Sequence, residues 1–179
     1  RLRQELGIGD GVIALYTGRV DLLKDLKTLI RAWREVARVR PDATLLVIGD
    51  GNQRRALERD VTALGLKGSI RFLGGMAQIR DYLVSSDIFI LPSLAEGLSV
   101  SLLEAMSYGL AVVVSDIPAN REVVVHRVHG LVCSAGDTDG FAGAILELVD
   151  DLSLRDVLGK QAAQRARDQF PLDRMVDRY

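Results

Sequence analysis

Short runs of Val, Ile and Leu that stop at Gly, Pro or Ser recur along this chain, each followed by a longer amphipathic stretch. No other feature limits the fold as much. The runs are VIALYTG (12–18), ATLLVIG (43–49), SIRFLG (69–74), DIFILP (87–92), AVVVS (111–115) and GLVC (130–133). Most are too uniformly apolar for a strand with one wet face. They read as strands buried on both faces, the pattern of a parallel sheet.

The stretches between them have helical spacing. In 25–39, Leu26, Leu29, Ile30, Trp33, Val36 and Ala37 recur every three or four residues and mark one buried face. The stretch 52–65 repeats this with Leu57, Val61 and Leu64 and ends on Gly65, a C-cap residue. Shorter helices are expected at 77–85, 99–108 and 118–125, and longer ones at 139–150 and 153–169. Strand–helix alternation requires crossover connections. The predicted fold is α/β: a single Rossmann-like doubly wound domain over residues 1–179, with a six-stranded, mainly parallel sheet. At 179 residues and 48% hydrophobic, the chain can bury one large core.

Several function classes are disfavoured at once. A net charge of −1 offers no basic footprint for nucleic acid. The apolar runs fall far short of the roughly 20 residues that span a bilayer. One cysteine, Cys133, cannot form an internal disulfide and fits a reducing compartment, so a cytoplasmic location is expected. The sequence opens RLRQELGIG, with neither Met nor a signal-peptide pattern, and is expected to be one domain of a longer protein.

Ligands on doubly wound sheets bind outside the C-terminal strand ends. The loops to inspect are therefore 18–25, 49–52, 74–77, 92–99 and 115–119. In TGRVDLLK, Arg19 follows Gly18, and Lys24 lies five residues on. A guanidinium fork and an ammonium point charge at one strand end can clamp a diphosphate; they can equally be two solvated cations. In VIGDGNQ, the glycines of Gly49-Asp50-Gly51 suit close backbone approach to a ligand, or a turn with Asp50 or Asn52 capping the next helix. Residues 49–54 lack the third glycine of the dinucleotide fingerprint. Gly74 and Gly75 in RFLGGMAQ fit one wall of a base slot or a simple turn.

LAEGLSVSLLEAM (94–106) is the richest loop. Glu96 precedes a helix expected to start near Ser99. Glu104 lies about five residues inside it, about 7.5 Å along the axis. Between them is a helix N-terminus, an anion site. Phosphates would repel the carboxylates, but hydroxyls on either side could bond to them. Ribose, two phosphates and a sugar have that layout. Plainer alternatives are a charge–dipole contact for Glu96 and a surface position for Glu104, although Leu102, Leu103, Ala105 and Met106 around it are apolar.

Two other patterns are set aside. Asp-x-Asp in GDTDG (136–140) precedes a helix that one aspartate is expected to cap. His126, His129 and Cys133 lack an evident fourth metal ligand and read as a surface loop.

Taken together, EGLSVSLLEAM, GRVDLLK, VIGDG, FLGG, LPS, YGLAVVVSD and HGLV resemble, in order and spacing, family 4 of the retaining glycosyltransferases with the GT-B fold. The resemblance runs from about residue 12 to 179 and matches only the second of that family's two Rossmann-like domains. It implies that Arg19 and Lys24 hold the donor diphosphate, that Glu96 contacts the transferred sugar, and that Glu104 accepts from ribose hydroxyls. The backbone of Gly97, Leu98, Ser99, Val100 and Ser101 would approach the sugar and distal phosphate. Gly74, Gly75 and Met76 would line the base, and Gly18 and Gly49 belong to the same substrate-binding set. The family often has Gly-Phe-Gly where this chain has Gly97-Leu98-Ser99; Ser99 is expected to cap the helix all the same.

The implied activity is transfer of a hexose-type sugar from a UDP- or GDP-sugar, without metal or other cofactor, to a saccharide or lipid-linked acceptor. An N-terminal domain, absent here, would bind that acceptor. The fragment alone would be inactive, and the full-length protein could sit peripherally at the inner membrane face. The tail FPLDRMVDRY looks like the start of the segment that crosses back to the missing domain. Two other readings are an epimerase or phosphorylase relative and a non-catalytic flavodoxin-like module.

Overall fold

The computed structural model describes residues 2–170, so all but Phe170 of the FPLDRMVDRY tail lies outside the described residues. Six strands form one sheet: β1 (Ile13–Thr17), β2 (Thr44–Ile48), β3 (Ile70–Gly74), β4 (Ile88–Leu91), β5 (Ala111–Ser115) and β6 (Gly130–Cys133). Their order is β3-β2-β1-β4-β5-β6. All five pairings are parallel, which sharpens the expectation of a mainly parallel sheet. Every residue of β1, β2, β4 and β5 is buried, as their unbroken apolar sequence requires.

The helices are α1 (Leu2–Glu5), α2 (Leu26–Val39), α3 (Arg54–Ala63), α4 (Arg80–Ser85), α5 (Val100–Ser107), α6 (Pro118–Val123), α7 (Thr138–Asp150) and α8 (Leu152–Gln169). The β1–β2 and β4–β5 crossovers run in opposite directions along the sheet. Right-handed connections therefore put α2 and α5 on opposite faces. On one face α2 packs against α3 and α7; on the other α5 packs against α8. The buried face of α2 holds Leu26, Leu29, Ile30, Trp33 and Val36, as its spacing predicted, together with Thr28 and Ala32; Ala37, expected there too, is half-buried.

Some boundaries differ from expectation. α3 starts at Arg54, its N-cap Gln53 makes no side-chain bond, and neither Asp50 nor Asn52 caps it. Asp50 instead accepts from the adjacent Gly51 amide at 2.8 Å and from Arg54 at 3.3 Å. Gly65 closes α3 with φ of 71°, as expected of a C-cap glycine. α1 and a 3-10 turn at Leu22–Lys24 were not foreseen. α1 buries no residue, so it has no apolar period to read. It is held instead by Arg3, which donates to the Gly11 carbonyl at 2.7 Å and to Asp87 at 2.9 Å. Among the described residues, no helix is long and apolar enough to cross a membrane.

Candidate active site

The winding direction reverses between β1 and β4, and doubly wound sheets take their ligands at that crevice. The loop leaving β1 carries Arg19 and Lys24, and the loop leaving β4 carries Glu96. The fold therefore brings together residues more than 70 positions apart in the chain.

The loops after β1, β2 and β3 run side by side beyond the sheet. Gly18 N donates to Ile48 O (3.0 Å), Gly49 N to Gly74 O (2.8 Å) and Val20 N to Asp50 O (2.9 Å). Gly49 has φ of 143°, and a Cβ there would lie 1.7 Å from the Gly18 carbonyl oxygen. That answers the question left by VIGDG: the close approach at Gly49 is to neighbouring backbone. Beneath this layer Tyr16, fully buried, donates its hydroxyl to the Arg19 carbonyl at 2.6 Å. Burial, and then the carboxylates of Glu96 and Asp21, hold its phenol far above the usual range.

Asp21, not singled out from sequence, organises the loop. Its carboxylate accepts from the amides of Leu23 (3.1 Å) and Lys24 (3.3 Å), starting the 3-10 turn that ends on Lys24. It also pairs with Arg19 Nε at 3.1 Å. The Leu94 amide donates to the Leu23 carbonyl at 2.8 Å and ties the β1 and β4 loops together. Across that seam Lys24 Nζ meets Glu96 Oε1 at 2.5 Å. Ser93 Oγ donates to the same oxygen at 2.7 Å. Among the described residues nothing bonds to Glu96 Oε2. The Glu96 side chain is only 9% exposed and that of Lys24 20%, whereas that of Arg19 is 81% exposed.

A buried polar chain backs Glu96. Ser115 Oγ donates to the Ser93 carbonyl, and Asn120 Nδ2 donates to Ser115 O (2.9 Å) and Oγ (3.2 Å). Ser93, Ser115 and Asn120 are essentially unexposed. This support runs through the ends of β4 and β5 into α6, a contact between distant segments that carries no local sequence signal. Asp21 did have one, since Asp is a preferred residue before a helical turn.

Ser99 caps α5, as expected, by accepting from the Leu102 amide at 3.3 Å, and its hydroxyl lies 3.2 Å from that of Ser101. Glu104 sits half-buried among apolar neighbours, with no bond to its carboxylate among the described residues. Desolvation alone raises its pKa.

Two adjoining cavities open here. One of about 310 Å³ is lined by Arg19, Asp21, Leu23, Lys24, Ala95, Glu96 and Gly97. The other, about 350 Å³, has Gly18, Arg19, Gly49, Gly75 and Met76 in its walls, together with Thr17 and Ile79. Arg19 borders both. Gly74, Leu98, Ser99, Val100, Ser101 and Glu104 are not in either wall. Larger clefts lie elsewhere, such as one of about 530 Å³ between α2 and α3 lined by Lys27, Arg31, Arg34 and Asp60. It lies off the strand ends and gathers no buried polar support, so its size does not mark it as the site.

The metal-like patterns have other duties. Asp137 caps α7 by accepting from Gly140 N at 2.9 Å. His126 and His129 accept at Nδ1 from the amides of Val132 (2.9 Å) and Val125 (3.2 Å). The Cys133 thiol is pushed up to about 12 by burial and then by Asp137.

A parallel sheet in this order, with cations and a carboxylate at its switch point, defines a Rossmann-like domain built to take a ligand at its strand ends. The chain belongs to the family described as glycosyl transferases group 1, whose model matches residues 1–165. It is 33% identical to the lipopolysaccharide core biosynthesis glycosyltransferase LpsE of Rhizobium meliloti, over 95% of this chain and 49% of that protein. The chain spans about half the length of the curated relatives it matches. Among solved structures it is similar to Anabaena HepE in complex with UDP-glucose (27% identity, TM-score 0.90, 99% of this chain, 50% of that one). It is also similar to the C-terminal domain of the group 1 glycosyl transferase LpcC from Francisella tularensis (26% identity, TM-score 0.84, 93% of this chain, 90% of that one).

Proposed function

We propose that this chain is the donor-binding half of a retaining glycosyltransferase that takes a hexose-type sugar from a nucleoside diphosphate sugar. The observation that carries the reading is the Lys24–Glu96 pair at the switch point, with Arg19 beside it. Lys24 and Arg19 each rest on a carboxylate, Glu96 and Asp21. An arriving diphosphate offers both cations stronger anionic partners, and the cations then meet the charge that builds on the leaving nucleotide as the anomeric C–O bond breaks. Two side-chain cations in this role support a reaction without a divalent ion.

Glu96, held by Ser93, keeps Oε2 for hydroxyls of the transferred sugar. Gly97 presents open backbone beside it. The nucleoside occupies the second cavity, against Gly75 and Met76, and Glu104 takes the ribose hydroxyls from α5. A UDP-sugar donor is supported by the relative crystallised with UDP-glucose. Leu22, Leu23, Leu94, Leu98 and Val100 expose apolar surface around the site. Such a rim suits a second domain that carries a saccharide or lipid-linked acceptor and closes over the donor.

Calorimetric titration of the chain with UDP-, GDP- and ADP-sugars tests the reading. At least one should bind with submillimolar Kd, and Lys24→Met should weaken it at least about tenfold, the loss of one charge-assisted hydrogen bond. No binding by any of them at millimolar concentration would sink it.

A further inference from the structure

Ser93, just beyond the end of β4, has no exposed surface, and its Oγ lies 2.7 Å from Glu96 Oε1. A carboxylate paired with a lysine only accepts, so the serine donates this bond. Ser93 is itself held from behind. Its carbonyl accepts from Ser115 Oγ, and Ser115 accepts two bonds from Asn120 Nδ2. Ser115 and Asn120 are buried as well. Polar groups out of reach of water have no substitute for a lost partner, so a chain of this kind resists rearrangement.

Glu96 borders the 310 Å³ cavity together with Arg19 and Lys24. Both bonds to its carboxylate, from Lys24 Nζ at 2.5 Å and from Ser93 Oγ, end on Oε1. Oε2 is unbonded among the described residues, yet it is not one of the sealed polar atoms there that lack a partner; those are on Thr17, Trp33 and Asn120. Oε2 therefore keeps contact with solvent. The two tethers on Oε1 differ once a donor is bound. Lys24 is the cation that turns to the diphosphate, and Glu96 then loses it. Ser93 has no rival partner, because its hydroxyl is sealed and its backbone is fixed by Ser115. In the complex it is the tether that remains.

We infer that Ser93 is a positioning residue for the transferred sugar: it holds Glu96 so that Oε2 meets the sugar hydroxyls after Lys24 has moved to the diphosphate. The inference rests on the donor-binding reading above. It separates the two halves of the donor. Ser93 lines neither site cavity and its hydroxyl bonds only to Glu96, so its loss is felt through Glu96 and hence by the sugar, not by the nucleotide.

Calorimetry of the chain with UDP and with UDP-glucose tests it. Ser93→Ala should weaken UDP-glucose binding about three- to tenfold, the loss of one hydrogen bond, and leave UDP affinity as in wild type, which also reports that the variant is folded. In a Glu96→Ala background the same substitution should cost nothing further, because Ser93 acts only through Glu96. Should Ser93→Ala fold poorly, Ser93→Cys, a weaker donor of similar size, is read the same way. Unchanged UDP-glucose affinity would overturn the inference. So would an equal loss for both ligands, or a loss that persists without Glu96, since Ser93 would then act on the loop as a whole. Failure of the wild-type chain to bind either ligand would instead remove the donor-binding reading beneath it.

Discussion

At the scale of single residues, the site is set by which charges have partners. Lys24 and Arg19 have them, and among the described residues Glu104 does not. Burial without a partner raises the Glu104 pKa above that of an unfolded chain, where a glutamate titrates near 4.3. The folded state therefore holds this proton more tightly than the unfolded state. The contribution of Glu104 to stability falls as pH rises from about 4 through the raised folded value. Glu104→Gln should then be more resistant to urea than wild type at pH 7 and lose that advantage near pH 4. An identical pH dependence in the two proteins would mean that Glu104 is solvated after all. Arg19, Lys24 and Glu96, which the structure gathers around one cavity, were singled out in the sequence by residue type and loop position; Glu104 was singled out with them but lines neither cavity. Asp21 could have been found from its place before a helical turn, and Ser93 could not, because what singles it out is its bond to Glu96 and the buried chain from Ser115 and Asn120 behind it.

At the scale of elements, six apolar runs were enough to place six strands; in the four central ones, full burial on both faces leaves no polar period to mislead. Helix starts were less legible. α3 begins without a side-chain cap, and α1 has no buried face, so neither start carries a local signal. The same limit applied to VIGDG: a glycine required by a neighbouring loop looks, in sequence, like one reserved for a ligand. The structure separates the two by contact. Gly49→Ala would drive a Cβ against the Gly18 carbonyl at a backbone angle that Ala resists. Chemical denaturation should show a loss of about 3 kcal/mol or more. A loss below about 1 kcal/mol would show that the β1 and β2 loops separate easily. That would contradict a cavity wall built from their contact.

At the scale of the molecule, strand order does the decisive work. Alternating strands and helices implied a doubly wound sheet, but only the order puts the β1 and β4 loops side by side and makes one site of Arg19, Lys24 and Glu96. The central claim is that a nucleoside diphosphate binds at that switch point. The most direct test is an NMR amide titration of the chain with UDP. The largest shifts should fall at residues 17–24, 75–79 and 93–104, the loops leaving β1, β3 and β4 and the start of α5. Shifts centred instead on Lys27, Arg31 and Arg34 in the α2–α3 cleft, or no shifts at millimolar UDP, would contradict it.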